Sequence, residues 1–198
     1  MPSLQDTRTI PFVAALLLMA APAFAHTGDI AGGFTGGFSH PLFGPDHVFA
    51  MIAVGLWGAF LGAPAIWLLP VVFPLVMAFG GVLGIFGIPL PHVQVGIAIS
   101  AIVLGAMVAS AAQPPLWFAA ILVGAFAIFH GHAHGAELPA SVNAMSFATG
   151  FVVATGLLHL CGIGFGLLAR TPNGTLAVRA AGLSIALAGL VFLGQALS

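Results

Sequence analysis

Two short segments of this 198-residue chain carry most of its histidines. The first places His40, Asp46 and His47 around two prolines, Pro41 and Pro45. Pro45 cannot donate a backbone hydrogen bond, and Pro41 disfavours helical geometry at His40. We therefore expect a helix break that leaves nearby carbonyl groups without helical partners. Two imidazoles, a carboxylate and free carbonyl oxygens together form a ligand set for a cation.

Asp46 supports two interpretations. If the segment lies in a membrane, a bare carboxylate is costly unless a cation or a hydrogen-bond donor accompanies it, which favours a positively charged guest. The alternative is that Asp46 caps the helix following Pro45, with His40 and His47 packed as satisfied polar residues. Met51, one turn beyond His47, could add a soft sulfur ligand, although a methionine at such a position is typical of core packing.

The second segment contains three alternating histidines and a glutamate, His130, His132, His134 and Glu137. On a helix, His130, His134 and Glu137 fall within about 40° of one stripe, whereas His132 points away and is a further candidate ligand. Imidazole and carboxylate suit borderline divalent ions such as nickel, cobalt, zinc or copper, while magnesium and calcium prefer oxygen ligands. A loop that scavenges metal weakly and a pH-sensing cluster are the alternatives.

The other histidines are isolated in the sequence. His159 lies in an apolar stretch, where it could be an inner relay ligand for a metal or could hydrogen-bond a neighbouring helix. His92 follows two prolines and marks a helix start. After cleavage, His26 would be the first residue, and its free amine and imidazole together could chelate a metal ion. Cys161 is the single cysteine, which excludes an intrachain disulfide and paired-cysteine zinc sites, and we expect it to pack.

The composition indicates a membrane protein. The chain is 61% hydrophobic and 4% charged, with 3 Lys+Arg and 4 Asp+Glu, whereas soluble domains carry about 25% charged residues. A net charge of -1 excludes the basic surface that nucleic-acid binding requires. Since lysine is absent, the chain also lacks a phosphate-binding loop for ATP, so we expect no nucleotide partner.

The organisation predicted from these features is all-α: a polytopic membrane protein with a six-helix transmembrane bundle after an N-terminal signal peptide. Residues 1–25 form the signal peptide, with cleavage after Ala25, and residues 26–198 form one six-span domain. Proline and glycine in the connections set the predicted spans, which are Ile30 to Leu61 with a break, Ala65 to Phe86, Pro91 to Ala112, Pro115 to His134, Ala140 to Ala169, and Leu176 to Leu197.

The arginines predict the orientation. Arg170 and Arg179 flank the last connection, which should be cytoplasmic because positive residues stay inside. The mature N terminus is then outside, as a signal peptide also requires. Both histidine segments fall toward the outer side, and His159 falls about midway across the bilayer core.

The two segments resemble the signatures of the HupE/UreJ family of hydrogenase and urease accessory proteins. The chain reads HPLFGPDH followed by VFAMIAVGLW, and later FHGHAHGAELP. The resemblance covers nearly the whole chain. The family is associated with permeation of nickel, and in some members cobalt, across the cytoplasmic membrane. The resemblance implies that the ion is served by His40, Asp46, His47, His130, His134 and Glu137.

These features together predict a secondary permease, not an enzyme, in the cytoplasmic membrane. It would carry a divalent transition-metal ion, nickel or cobalt, into the cell for metalloenzyme maturation, without a bound cofactor. Expected partners are the ion, the lipid bilayer, and a second copy of the chain or hydrogenase and urease maturation proteins. A membrane-embedded metal-dependent enzyme and a metal-binding scaffold or sensor are the alternatives, although neither His-Glu-x-x-His nor Gly-x-Ser-x-Gly occurs.

Overall fold

A computed structural model describes residues 33–198. The predicted signal peptide, His26 and the start of the predicted first span lie outside the described residues. Within them, the chain forms seven α-helices, one short 3-10 helix and no strand. The helices are α1 (Phe34–Phe43), α2 (Pro45–Leu61), α3 (Ala65–Ile85), α4 (Val93–Ala109), α5 (Leu116–Glu137), α6 (Ala144–Gly166) and α7 (Pro172–Leu197), with the 3-10 helix at Leu167–Arg170.

Four of these helices, α3, α5, α6 and α7, are long and apolar enough to cross a membrane. The count rises to five if α1 and α2, which meet at 83°, make one broken span. Helix α4 has 17 residues, or about 25 Å of helix against a hydrocarbon core of about 30 Å. The described residues are thus those of an all-α, multi-pass membrane protein, and the sixth crossing stays a prediction.

Two predicted helix starts were wrong, because the side chain just before each helix caps it at a different residue. Helix α6 begins at Ala144, not Ala140, because the side chain of Asn143 accepts a hydrogen bond from the amide of Ser146 at 2.9 Å. Helix α7 begins one turn before the predicted Leu176, because Thr171 accepts from the amide of Gly174 at 3.1 Å. Capping therefore fixes both starts.

Polarity is distributed in the reverse of a soluble protein. Large apolar side chains are exposed along the outer faces of the helices, Trp67, Leu75 and Ile121 among them. The buried polar residues are His47, Ser100, His130, His132, His134, Thr155, His159 and Ser184. Since lipid is the solvent that suits such a surface, the interior is the place for polar chemistry. Cys161 is exposed on α6, so the prediction that it packs was wrong.

Glycines bring the helices that carry this interior into close contact. Helix α3 packs along α5, α4 along α7, and α6 against both α1 and α2. A Cβ atom at Gly80 or Gly84 of α3 would collide with the backbone of α5, and one at Gly131 or Gly135 of α5 would collide with α3. The backbones can therefore approach in the way that small residues permit between membrane helices.

The far end of the bundle, where α2 and α4 end, is tied by two side chains. The indole Nε1 of Trp57 donates to the carbonyl of Ala112 at 3.1 Å, and Nε of Arg179 donates to the carbonyl of Ala109 at 2.7 Å. Both acceptors lie at or just after the end of α4, where carbonyl groups have no intrahelical donor. These bonds hold α4 between α2 and α7.

Candidate metal centre

The break between α1 and α2 sets the positions of His40 and His47. It occurs at Gly44, whose carbonyl accepts from the amides of His47 and Val48 at 3.0 and 2.9 Å. The prediction that Pro41 displaces His40 from helical geometry was wrong, because Pro41 is accommodated inside α1 and is buried. The sharp turn between the helices brings the two imidazole centroids to 6.5 Å.

Asp46 forms hydrogen bonds with the neighbouring residue, His47. Its Oδ1 accepts hydrogen bonds from the backbone amide of His47 at 3.0 Å and from Nδ1 of the same residue at 2.8 Å. The N-cap residue of α2 is Gly44 and not Asp46, although the Asp46 carboxylate does accept a backbone N–H bond in the first turn of α2, as that interpretation expected. Because a carboxylate can only accept, Nδ1 of His47 carries a proton, and in the neutral imidazole Nε2 then keeps its lone pair.

Helix α5 presents two histidines to the same place. The centroid of His47 lies 4.9 Å from that of His130 and 4.4 Å from that of His134, and His134 is also 4.7 Å from His40. One turn further on, Glu137 offers a carboxylate at the exposed end of the helix. Ligand atoms of His40, His134 and Glu137 all lie within 4.8 Å of one another. We refer to these five residues with Asp46 as the histidine cluster.

Ser100 of α4 completes the arrangement, and the sequence analysis missed it. Its hydroxyl donates to the carbonyl of Ile97 at 2.6 Å, and its oxygen lies 2.9 Å from Nε2 of His130. Since the single hydroxyl proton is used on Ile97, the serine oxygen accepts from His130, which places that imidazole's proton on Nε2. Nδ1 of His130 then carries the free lone pair. A lone serine in an apolar helix was the available signal.

The free nitrogens test whether this cluster fits a metal ion. Nε2 of His47, Nδ1 of His130 and both ring nitrogens of His134 are buried without a hydrogen-bond partner among the described residues. Leaving such groups unpaired costs about 1–3 kcal/mol each. Imidazole lone pairs are ligands for nickel, cobalt, copper and zinc, so a divalent ion would satisfy them. The donor set therefore fits a borderline metal.

Aromatic side chains from α6 form one wall of the cluster. Phe151 lies 4.4 Å from His134 and 6.3 Å from His40 between centroids, and Phe147 lies 6.0 Å from His40. These rings therefore pack against the imidazoles and make that side of the cluster apolar. Phe147 and Phe151 are distant in the chain from both histidine segments, so nothing in the sequence indicated that they contact these histidines.

Two predicted ligands lie outside the cluster. Nε2 of His132 is 2.7 Å from the carbonyl of Ile88, so this side chain holds the connection after α3. His159 contacts Phe73, whose ring centroid is 5.6 Å from that of His159 and 5.5 Å from that of His130. His92 is the exposed N-cap residue of α4.

Apart from Ser100 and the aromatic wall, the residues of this site come from the two histidine segments of the sequence. Comparison with known proteins shows which family the chain is related to. The family model described as HupE / UreJ protein matches residues 14–192. The chain belongs to the HupE/UreJ family. A curated relative, "Protein HupE" of Rhizobium leguminosarum bv. viciae, is 46% identical over 179 residues, or 90% of this chain and 94% of the relative. No solved structure matches. The region matched to the HupE/UreJ model contains every residue of the histidine cluster.

Proposed function

We propose that this HupE/UreJ protein is a secondary permease that moves a divalent transition-metal ion into the cell. Nickel is the proposed cargo, with cobalt as the second ion of the same chemistry. The observation that carries the proposal is the set of buried imidazoles with free lone pairs, enclosed in a bundle whose outer surface is apolar.

The cluster offers an ion two overlapping sets of ligands. His40, His134 and Glu137 lie at the more exposed end and are proposed to capture the ion. His47 and His130 lie deeper, and His134 contacts His47 as well as His40, so an ion can exchange ligands without being released. Such partial nitrogen and oxygen shells bind borderline metals reversibly, as transport requires.

Asp46 supplies negative charge beside the deeper set. An ion with two positive charges is costly at membrane depth unless anions accompany it. The carboxylate of Asp46 offsets part of that charge and holds His47 with its free nitrogen available. We therefore propose that Asp46 acts as an electrostatic partner and a positioning residue.

The proposed topology has six crossings in the cytoplasmic membrane, with the mature N terminus outside after signal-peptide removal. The crossings are the bent α1–α2 pair and the helices α3 to α7, with α4 counted although it is short. Arg170 and Arg179 support this orientation, since positive residues stay on the cytoplasmic side. The histidine cluster then faces the outside, and the ion is delivered inward for hydrogenase or urease maturation.

Metal uptake by cells tests this proposal. Cells that express the wild-type chain should accumulate nickel, and the variants His47→Ala and Asp46→Ala should lose most of that accumulation. His92→Asn is the matched control, because His92 is exposed and lies outside the cluster, and asparagine tolerates its left-handed backbone at φ 55. Undiminished nickel and cobalt accumulation in both cluster variants would refute the ligand assignment.

A further inference from the structure

His159 of α6 is a buried imidazole without hydrogen bonds, away from the histidine cluster. It is 1% exposed, and neither ring nitrogen has a hydrogen-bond partner in the described chain. The predicted hydrogen bond from His159 to a neighbouring helix is met only by an approach to the backbone of Pro70 in α3, outside ordinary hydrogen-bond geometry. A buried polar group left in this state is destabilising, so the unpaired N–H and lone pair of this imidazole require a separate explanation.

The carbonyl group of Pro70 in α3 approaches this imidazole, although outside ordinary hydrogen-bond geometry. In an α-helix that carbonyl would accept from the amide four residues later, which is Pro74. Because proline has no N–H, the oxygen of Pro70 lacks its helical donor. Two prolines four residues apart thus leave a carbonyl oxygen free to act as a ligand beside His159.

Thr155 adds a third polar atom on the same face of α6. It lies one turn from His159 toward the histidine cluster, about 6 Å along the axis, and is fully buried. Its Oγ1 has no hydrogen-bond partner within residues 33–198. A threonine in a helix ordinarily bonds back to a carbonyl of the preceding turn, so this free hydroxyl also points to a ligand.

Phe73 contacts both this group and the histidine cluster. Its ring is fully buried, and its centroid lies 5.5 Å from that of His130 and 5.6 Å from that of His159. The two sets of polar groups thus share a contact with one aromatic side chain, which sits between Pro70 and Pro74 on α3.

We propose that His159, the carbonyl oxygen of Pro70 and the hydroxyl of Thr155 form a second, inner binding site for a divalent transition-metal ion. The inference rests on the proposed function, because it gives the ion leaving the histidine cluster its next position. One nitrogen and two neutral oxygens bind a borderline metal more weakly than several imidazoles with carboxylates. A weaker inner site suits release toward the cytoplasm.

Equilibrium dialysis of the full-length protein in lipid nanodiscs against Ni²⁺ tests the inner site. We expect two bound ions for each wild-type chain, and one for His159→Leu. His134→Ala is the reciprocal variant, which should lose the outer ion and keep the inner one. Thermal unfolding without metal is the control for folding. Leucine removes two unpaired buried nitrogens, so the unfolding temperature of His159→Leu should equal or exceed that of the wild type.

Thr155→Val is a second variant, which replaces the hydroxyl with a methyl group of similar shape. It should weaken binding of the second ion by about tenfold. One bound ion in the wild type, unchanged in both His159→Leu and Thr155→Val, would overturn the inner site and leave the proposed function standing. Absence of any bound nickel in the wild type would overturn both.

Discussion

The hydrogen-bond partners of His47 and His130 determine which ring nitrogen of each residue carries the proton and which is free. Asp46 holds the proton of His47 on Nδ1, and Ser100 holds that of His130 on Nε2. Each partner lies on the side of the ring away from its free nitrogen. Partners of this kind orient metal-binding histidines and strengthen their basicity. In the proposed permease, Asp46 and Ser100 would therefore prepare the cluster for the ion without having to touch it.

Replacing Asp46 with asparagine tests the charge at this position. The amide oxygen of Asp46→Asn can still accept from His47, so the loss is mainly that of a negative charge beside the ion. We expect the Kd for Ni²⁺ of the purified protein to rise about 10- to 100-fold. Titration calorimetry in detergent measures this, with His92→Asn as control, and an unchanged Kd would show that Asp46 has a purely structural role.

Replacing Ser100 with alanine tests the tautomer of His130. The variant removes the acceptor for Nε2–H, so the imidazole can rotate or change tautomer, and we expect nickel affinity to fall by about tenfold. Ser184→Ala is the matched control, since Ser184 is a buried serine of α7 that donates to the carbonyl of Ala180 at 3.0 Å. Equal effects of the two substitutions would contradict a specific role for Ser100.

At the scale of helices, the cluster depends on one break and one close contact. The turn at Gly44 directs α1 and α2 so that His40 and His47 face the same space. The contact between α3 and α5 then holds His130 and His134 opposite them. A Cβ atom at Gly131 would collide with the carbonyl of Met77. Small changes in that contact should therefore move both histidines of α5.

Gly131→Ala should separate α5 from α3. We expect a destabilisation of about 1–3 kcal/mol from overpacking, with loss of nickel uptake because His130 and His134 are displaced. Gly164→Ala on α6 is the control, since a Cβ atom there meets nothing within 4 Å. Thermal unfolding and uptake are measured on both variants. A stable and active Gly131→Ala protein would contradict the close contact.

The local patterns in the sequence predict part of this arrangement. The spacing of His130, His134 and Glu137 predicts one helical stripe, and the structure has all three on α5. The proximity of His40 and His47 to that stripe could be expected from chemistry and from the family resemblance, but not from spacing. Metal binding by these residues remains a prediction.

The remaining features depend on contacts between helices that are distant in the chain. Ser100 and Phe73 lie on α4 and α3. A lone serine in an apolar helix signals a polar contact, but nothing in either local sequence indicates that the partner is a histidine. The predicted break is found at Gly44, directly before Pro45. Pro41 does not disturb helical geometry at His40, because one missing backbone bond is tolerated in a packed α1. The starts of α6 and α7 were misplaced because the caps Asn143 and Thr171 were overlooked.

On the scale of the whole molecule, an apolar exterior surrounds an interior line of polar groups. Within residues 33–198 these groups begin at the exposed Glu137, continue through the buried imidazoles, and include His159, which contacts Phe73 as His130 does. Because the hydrocarbon core excludes ions, these groups form the route that we propose for a divalent ion.

Acidic medium should inhibit transport along this line. Imidazole binds metal only when neutral, and histidine has an ordinary pKa of about 6.5, so protons compete with the ion as the external pH falls. We expect the KM for Ni²⁺ uptake to rise between about pH 7.5 and about pH 5.5. Initial uptake rates at several nickel concentrations measure this, and a KM independent of pH would contradict ligation by histidine.

Reconstitution of the purified protein into liposomes that enclose a nickel-sensitive dye tests the central claim most directly. With an inward nickel gradient, vesicles containing the wild-type chain should fill with Ni²⁺, and those with His134→Ala should fill no faster than protein-free vesicles. Nickel that binds to the wild-type protein without reaching the enclosed dye would contradict the account and indicate a binding scaffold.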